Sequence, residues 1–131
     1  MVVADTHVIV WNALAPEKLS KKARKHFNEA NESDGIIFCD ISLWEISMLM
    51  EKDRLIIDIP FLEFIDLIKM ANNYVFKPIS PEIADLSATL SHEITADPAD
   101  RLISATSVYL NAPLITADEN LRHSQKVKTV W

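Results

Sequence analysis

A single glycine, Gly35, in 131 residues is the first restriction on what this chain can be. Glycine-rich phosphate loops, dinucleotide fingerprints and the strand-to-helix elbow of serine hydrolases all need glycine where backbone crowds a phosphate or turns sharply, so none of them can be built here. A single cysteine, Cys39, excludes a disulfide framework and a cysteine-based zinc site. It fits a reducing, cytoplasmic compartment and, at the end of an apolar run, reads as a core residue. The histidines His7, His26, His92 and His123 lack the i, i+4 spacing of a helical metal pair. Positive charge is in the minority: 13 Lys and Arg stand against 19 Asp and Glu, a net charge of -6, so any contact with nucleic-acid phosphate needs a local basic patch or a bound cation. No apolar run approaches the ~20 residues of a membrane span. The start, Met1-Val2-Val3-Ala4-Asp5, has neither the basic opening nor the apolar stretch of a signal peptide.

What is present is an ordinary globular composition, 49% hydrophobic and 24% charged, at a length that suits one domain over residues 1–131. Val2 to Ala4, Ile36 to Cys39, Tyr74 to Ile79, Pro113 to Thr116 and Val127 to Val130 read as strands. Thr6 to Leu14, Lys21 to Ala30, Ser42 to Lys52, Phe61 to Asn72, Pro81 to Ser91 and Pro98 to Leu110 read as helices. Ser20, Ser80 and Asp97 stand where N-caps belong, with Pro81 and Pro98 at first helical positions. Ser33-Asp34-Gly35 reads as a turn. Strands that alternate with helices, and are apolar on both faces, predict an α/β sandwich of three layers with a mainly parallel central sheet.

The informative feature is where the carboxylates fall. Asp5 and Asp118 follow apolar strands, while Glu45 and Asp100 are expected in the first turns of helices. Sites in open α/β sheets form outside the carboxyl ends of the strands, so these four acids are expected to converge. Bare carboxylates packed together repel, and some would stay protonated. A divalent cation removes the conflict; Mg²⁺ takes oxygen ligands and often only one or two direct carboxylates. Its chemistry would be phosphodiester hydrolysis, with a water activated for attack and the developing charge neutralised.

Each acid also has a purely structural reading. Asp5, Asp97 and Asp118 suit N-caps, and Glu45, three residues after Ser42, suits a capping box. Against that, the helical neighbours of Glu45 include the apolar Met48 and Leu49. Asp100 shares a face with Ile103, Ser104 and Ser107, lean enough for its helix to lie close to the sheet. His7 adjoins the expected site, Trp11, Trp44 and Trp131 read as core or interface residues, and the run Lys21 to Lys25 is the best local basic patch.

The opening Asp5-Thr6-His7 with Trp11, the segment Ser42-Leu43-Trp44-Glu45-Ile46, the run Asp97-Pro98-Ala99-Asp100-Arg101-Leu102-Ile103, then Pro113 to Asp118 and the closing Val130-Trp131 resemble PIN-domain toxins of the VapC type across essentially the whole chain. The resemblance implies a PIN-like fold, Mg²⁺- or Mn²⁺-dependent ribonuclease activity on an RNA substrate, and pairing with a cognate antitoxin. It carries the acidic quartet onto Asp5, Glu45, Asp100 and Asp118, with Thr116 orienting the last acid and Thr6 and Asp97 in support. Two departures stand out: Ala99 replaces a commonly large residue, and Lys52-Asp53-Arg54 stands where the family often has glycine. An antitoxin is expected to aim an Arg or Lys at the acids and to lay an amphipathic segment in a groove between Ser42–Lys52 and Phe61–Asn72. The same apolar surplus allows a homodimer. The competing reading is a non-catalytic α/β signalling or interaction domain, such as a phosphorylated receiver. It is disfavoured because Asp5 has no adjacent acid and no late strand ends in Lys-Pro.

Overall fold

The computed structural model describes residues 1–90 and 96–131. Five strands, β1 (Val2–Ala4), β2 (Ile36–Cys39), β3 (Tyr74–Lys77), β4 (Leu114–Ile115) and β5 (Thr129–Val130), form one sheet in the order β3-β2-β1-β4-β5. Every pairing is parallel, with Val3 opposite Ile37 on one side and Ala4 opposite Ile115 on the other. Parallel neighbours require crossovers, and the helices supply them: α1 (Thr6–Leu14), α2 (Lys21–Asn31), α3 (Asp40–Glu51), α4 (Phe61–Ala71), α5 (Pro81–Thr89), α6 (Pro98–Leu110) and α7 (Glu119–His123). The expected helix end at Ser91, and His92, lie outside the described residues. No helix among those described is long and apolar enough to cross a membrane.

The strands alternate between two cores. Val2, Ala4, Ile36, Phe38 and Ile115 face one layer, where they pack with Val8 and Ile9 of α1, Phe27 of α2, Ile46 of α3 and Phe64 and Ile68 of α4. Val3, Ile37, Cys39 and Leu114 face the other, with Ile83 of α5, Ile103 and Ala105 of α6 and Leu121 of α7. This is the three-layer sandwich expected from apolar strands. Each fully buried Phe, Ile or Leu contributes about 1.5–3 kcal/mol. Phe38 stacks on Phe76 with ring centroids 4.5 Å apart, tying the edge strand β3 to the sheet.

Ser20, Ser80 and Asp97 cap their helices as expected, each accepting from backbone N–H groups of the first turn. The start of α3 differs. The helix begins at Asp40, straight from the end of β2, with Cys39 as a cap that makes no side-chain bond. Ser42 is therefore inside the helix, and Glu45 lies in its second turn rather than its first. An acid at the first helical position complements the helix dipole, which lets Asp40 open the helix two residues early.

Two backbone positions test the handedness of local structure. Gly35 has φ 101°, and a Cβ there would lie 2.9 Å from both the Asn73 carbonyl oxygen and Val75 Cγ2. Asp53 has φ 55°, a left-handed conformation that Asp tolerates and glycine prefers. Gly35→Ala is expected to destabilise by about 1–3 kcal/mol, whereas Asp53→Gly is expected to be neutral or stabilising by up to ~1 kcal/mol. Urea denaturation of both variants checks the pair; destabilisation is expected for Gly35→Ala alone.

Candidate active site

The sheet order sets the position of the site. From β1 the chain leaves toward α1 on one face, whereas from β4 it leaves toward α7 on the other. A crevice opens where neighbouring strands diverge in this way, at their carboxyl ends. Asp5 directly follows β1, and Asp118 stands three residues beyond the end of β4. α3 brings Glu45 and α6 brings Asp100 to the same place. Together Asp5, Glu45, Asp97, Asp100, Asp118 and His7 line a cleft of about 320 Å³, with Trp11 and Ala117 completing its wall.

Asp5 is only 6% exposed, and both of its oxygens are held. Oδ1 accepts from the Thr6 N–H at 2.7 Å, and Oδ2 accepts from the Thr116 hydroxyl at 2.7 Å. The Thr116 oxygen in turn accepts from the Asp118 N–H at 3.1 Å. Thr116 therefore orients Asp5 through its side chain and Asp118 only through the backbone, a wider role than the resemblance implied. Asp118 Oδ1 accepts from Leu121 N–H at 3.0 Å, so this acid caps α7 while its carboxylate lines the cleft. Capping and site-lining, alternatives at the level of sequence, are both observed for Asp5 and Asp118.

Glu45 is set by a relay of hydroxyls. Thr6 Oγ1 donates to Glu45 Oε1 at 2.5 Å and lies 2.8 Å from Ser42 Oγ. A hydroxyl has one proton, so Ser42 is the donor to Thr6. Ser42 is fully buried and takes no part in a capping box; its role in aiming Glu45 was missed by the sequence reading. The signal was its spacing, one helical turn before Glu45 on the same face. Asp97 Oδ1 accepts from the N–H groups of Ala99 and Asp100, at 2.8 and 3.1 Å, fixing the turn that presents Asp100. The lean face beneath Asp100 is also as expected: Ile103, Ser104 and Ser107 are buried. Ala99 is buried too.

Crowding of these acids shows in their protonation. Burial, followed by the charges of Asp5, Asp97, Glu45 and Asp118, pushes the Asp100 carboxyl up to about 7. Burial also raises Asp5 and Glu45 above the usual carboxylate range, against the opposing hydrogen bonds from Thr116 and Thr6. Cys39, by contrast, is pushed up to about 12 by burial and remains an inert thiol of the core.

The chain belongs to the PIN-domain family, whose model matches residues 2–127. Over 99% of its length it is 33% identical to Ribonuclease VapC22 of Mycobacterium tuberculosis, covering 98% of that protein. Its fold is shared by VapBC2 from Rickettsia felis bound to a DNA fragment from its promoter, with a TM-score of 0.71, 15% identity and coverage of 98% and 97% of the two chains. It is also shared by a toxin–antitoxin complex from Klebsiella pneumoniae, with a TM-score of 0.67, 18% identity and coverage of 97% and 95%.

The protonation pattern gives a test of the cluster. An acid whose folded pKa is raised binds more protons native than unfolded, so stability falls as pH rises from the unfolded value near 4 to the folded value. For Asp100 the penalty is absent below pH ~4 and complete above pH ~7. Asp100→Asn in EDTA is expected to raise Tm by ~3–5 °C near pH 8, on the order of 1 kcal/mol once solvent screening is allowed for. The gain should vanish as the pH is lowered towards 4. Thermal melts of both proteins across that range check it, and a pH-independent difference would contradict the crowding.

Proposed function

We propose that this chain, as a single domain over residues 1–131, is a metal-dependent endoribonuclease and the toxin of a toxin–antitoxin pair acting in the cytoplasm. The observation that carries this reading is the convergence of Asp5, Glu45, Asp100 and Asp118 in one cleft of a chain that resembles a ribonuclease along its whole length.

The donor set suits a hard cation. All four side chains offer carboxylate oxygens, and three of them are disfavoured as anions by burial and by one another's charge. Among the described residues no three acids are gathered tightly enough to ligate one ion directly. Mg²⁺ and Mn²⁺ take oxygen ligands, typically one or two direct carboxylates with the rest of the shell filled by water. Asp5, Glu45 and Asp100 would form the metal's shell, one or two of them directly and the rest through water, with Asp118 direct or through water. When bound, the metal supplies a water of lowered pKa and neutralises charge developing on the phosphate. The chain's own residues do the positioning: Thr116 and the Thr6 N–H hold Asp5, the Ser42–Thr6 relay holds Glu45, and Asp97 holds the turn bearing Asp100.

Asp100→Asn and Glu45→Gln are each expected to lower RNA cleavage by a hundredfold or more, roughly, and EDTA to abolish it. Thr116→Val should cost ~10–100-fold, with Thr116→Ser largely active, because the hydroxyl and not the packing is at stake. Cleavage of a mixed-sequence RNA with Mg²⁺ or Mn²⁺ measures all four. Wild-type rates in Asp100→Asn would overturn the assignment.

The antitoxin reading has its own surface. An apolar cleft of about 420 Å³ is lined by Ala13 and Leu14 of α1, Ile57 and Ile59 of the segment between α3 and α4, and Leu67 and Ile68 of α4. It lies on the α1 side of α4, a different place from the α3–α4 groove expected from the sequence. The α3–α4 junction contributes to the core instead, through Ile46, Phe64 and Ile65. An amphipathic segment of the antitoxin fits this cleft, and exposed Trp44, Leu62 and Met70 leave apolar surface for a second copy of the chain. Co-expression with the neighbouring reading frame is expected to yield a co-purifying small protein, and Leu67→Glu to release it. A chain harmless when expressed alone, with no partner recovered, would rule out the toxin role.

A further inference from the structure

The cleft of acids poses an electrostatic problem for the proposed substrate. Five carboxyl groups line it, and the chain as a whole carries -6, so a polyanion is repelled from every side unless cations stand close by. The structure has such a place. Next to the acidic cleft lies a second crevice of about 340 Å³, lined by Lys22 of α2, Glu119, Arg122 and His123 of α7, and Thr129 and Trp131 at the end of β5. Lys22, Arg122 and His123 are exposed, so the charges of Lys22 and Arg122 are available to a ligand.

The two crevices are joined by aromatic rings. His7 and Trp11 line the acidic cleft, and their ring centroids are 5.8 Å apart. Trp11 packs against Trp131 at 6.0 Å, and Trp131 lines the basic crevice. Lys18 Nζ sits 5.9 Å from the Trp11 centroid, adding a further cation beside the seam. Because the sheet is parallel, the end of β5 bearing Trp131 lies on the same edge as the end of β1 bearing Asp5. Trp11 and Trp131 are half-buried, anchored on one side and reachable on the other. A cationic groove running beside accessible aromatic faces is how single-stranded nucleic acid is held without a sequence code.

Resting on the ribonuclease reading, we propose that the crevice of Lys22, Arg122, His123 and Trp131 is the subsite that holds the RNA phosphate backbone beside the scissile bond. Lys22 and Arg122 contact backbone phosphates, and the Trp11–Trp131 seam supports the nucleotides between that subsite and the acids. The strand is thereby tethered where it is attracted and cut where it would be repelled. Lys22 is the member of the basic run on α2 that reaches this crevice; Arg24 instead donates to the Pro16 carbonyl, and Lys25 lies 4.0 Å from Glu29.

The test is the double variant Lys22→Ala/Arg122→Ala, with the double variant Lys52→Ala/Arg54→Ala, beyond the far end of α3, as the control for net charge. The probe is a labelled single-stranded RNA of mixed sequence. Each lost phosphate contact lowers the salt slope of binding by ~0.7, so the Lys22→Ala/Arg122→Ala variant should lose ~1.4. KM is expected to rise ~10–30-fold at about 0.1 M salt with kcat within about twofold of wild type. Binding measured with Asp100→Asn as the background separates affinity from cleavage. If wild type cleaves the RNA and the Lys22→Ala/Arg122→Ala variant matches it in KM and salt slope, or if Lys52→Ala/Arg54→Ala is equally impaired, the subsite assignment is overturned and the nuclease reading stands. Unchanged cleavage combined with loss of a co-purifying protein would likewise overturn it, reassigning the crevice to protein binding. If wild type neither binds nor cleaves the RNA, the nuclease reading itself fails.

Discussion

The hydrogen bond from the Thr116 hydroxyl to Asp5 Oδ2 joins residues 111 positions apart, and the site is built around it. Asp5 is almost wholly withdrawn from water, a costly position for a carboxyl without partners. Its partners exist only while β1 and β4 pair in register, Ala4 opposite Ile115, because that pairing places Thr116 beside the end of β1. A slip of one residue would turn every strand side chain to the opposite core and remove the bond. The geometry of the acids is therefore enforced by the same parallel register that buries Val3, Ala4, Leu114 and Ile115.

The neighbouring helices extend this control outward. Thr6, the first residue of α1, connects the group at the end of β1 to Glu45 on α3 through a hydroxyl, and Ser42 supports it from behind. Asp97 and Asp118 use the first turns of α6 and α7 to orient themselves and their neighbours. Short polar side chains at helix starts do two jobs here: they satisfy backbone donors and they stiffen the acids. The result is a rigid cluster of like charges, and that rigidity holds in place a repulsion that a cation would relieve.

The surface features divide along the axis of the sheet. The acidic cleft, the aromatic seam and the basic crevice share the carboxyl edge. The apolar cleft lies near the C-terminal ends of α1 and α4, toward the amino edge. α1 serves both regions: His7 and Trp11 line the acidic cleft, and Asn12, Ala13 and Leu14 line the apolar one.

Much of this was legible in the chain alone. Apolar runs without alternation announced buried parallel strands, Ser20, Ser80 and Asp97 announced their helix starts, and the acids after strands announced the edge where they gather. These are local or periodic signals, set by propensity and by the two-sided burial of strands. The start of α3, the inward role of Ser42 and the side of α4 that carries the apolar cleft were not legible, since each depends on which element packs opposite. Ser42 looked like a cap because spacing along a helix is visible in one dimension, whereas its bond to Thr6 requires α1 and α3 to meet. Likewise Trp11 and Trp131, 120 positions apart, become one seam only because β1 and β5 end on the same edge. The sequence by itself determined which residues could be strand, cap, core or acid; the tertiary structure decided which of them touch, because register and crossover bring together side chains that no local pattern relates.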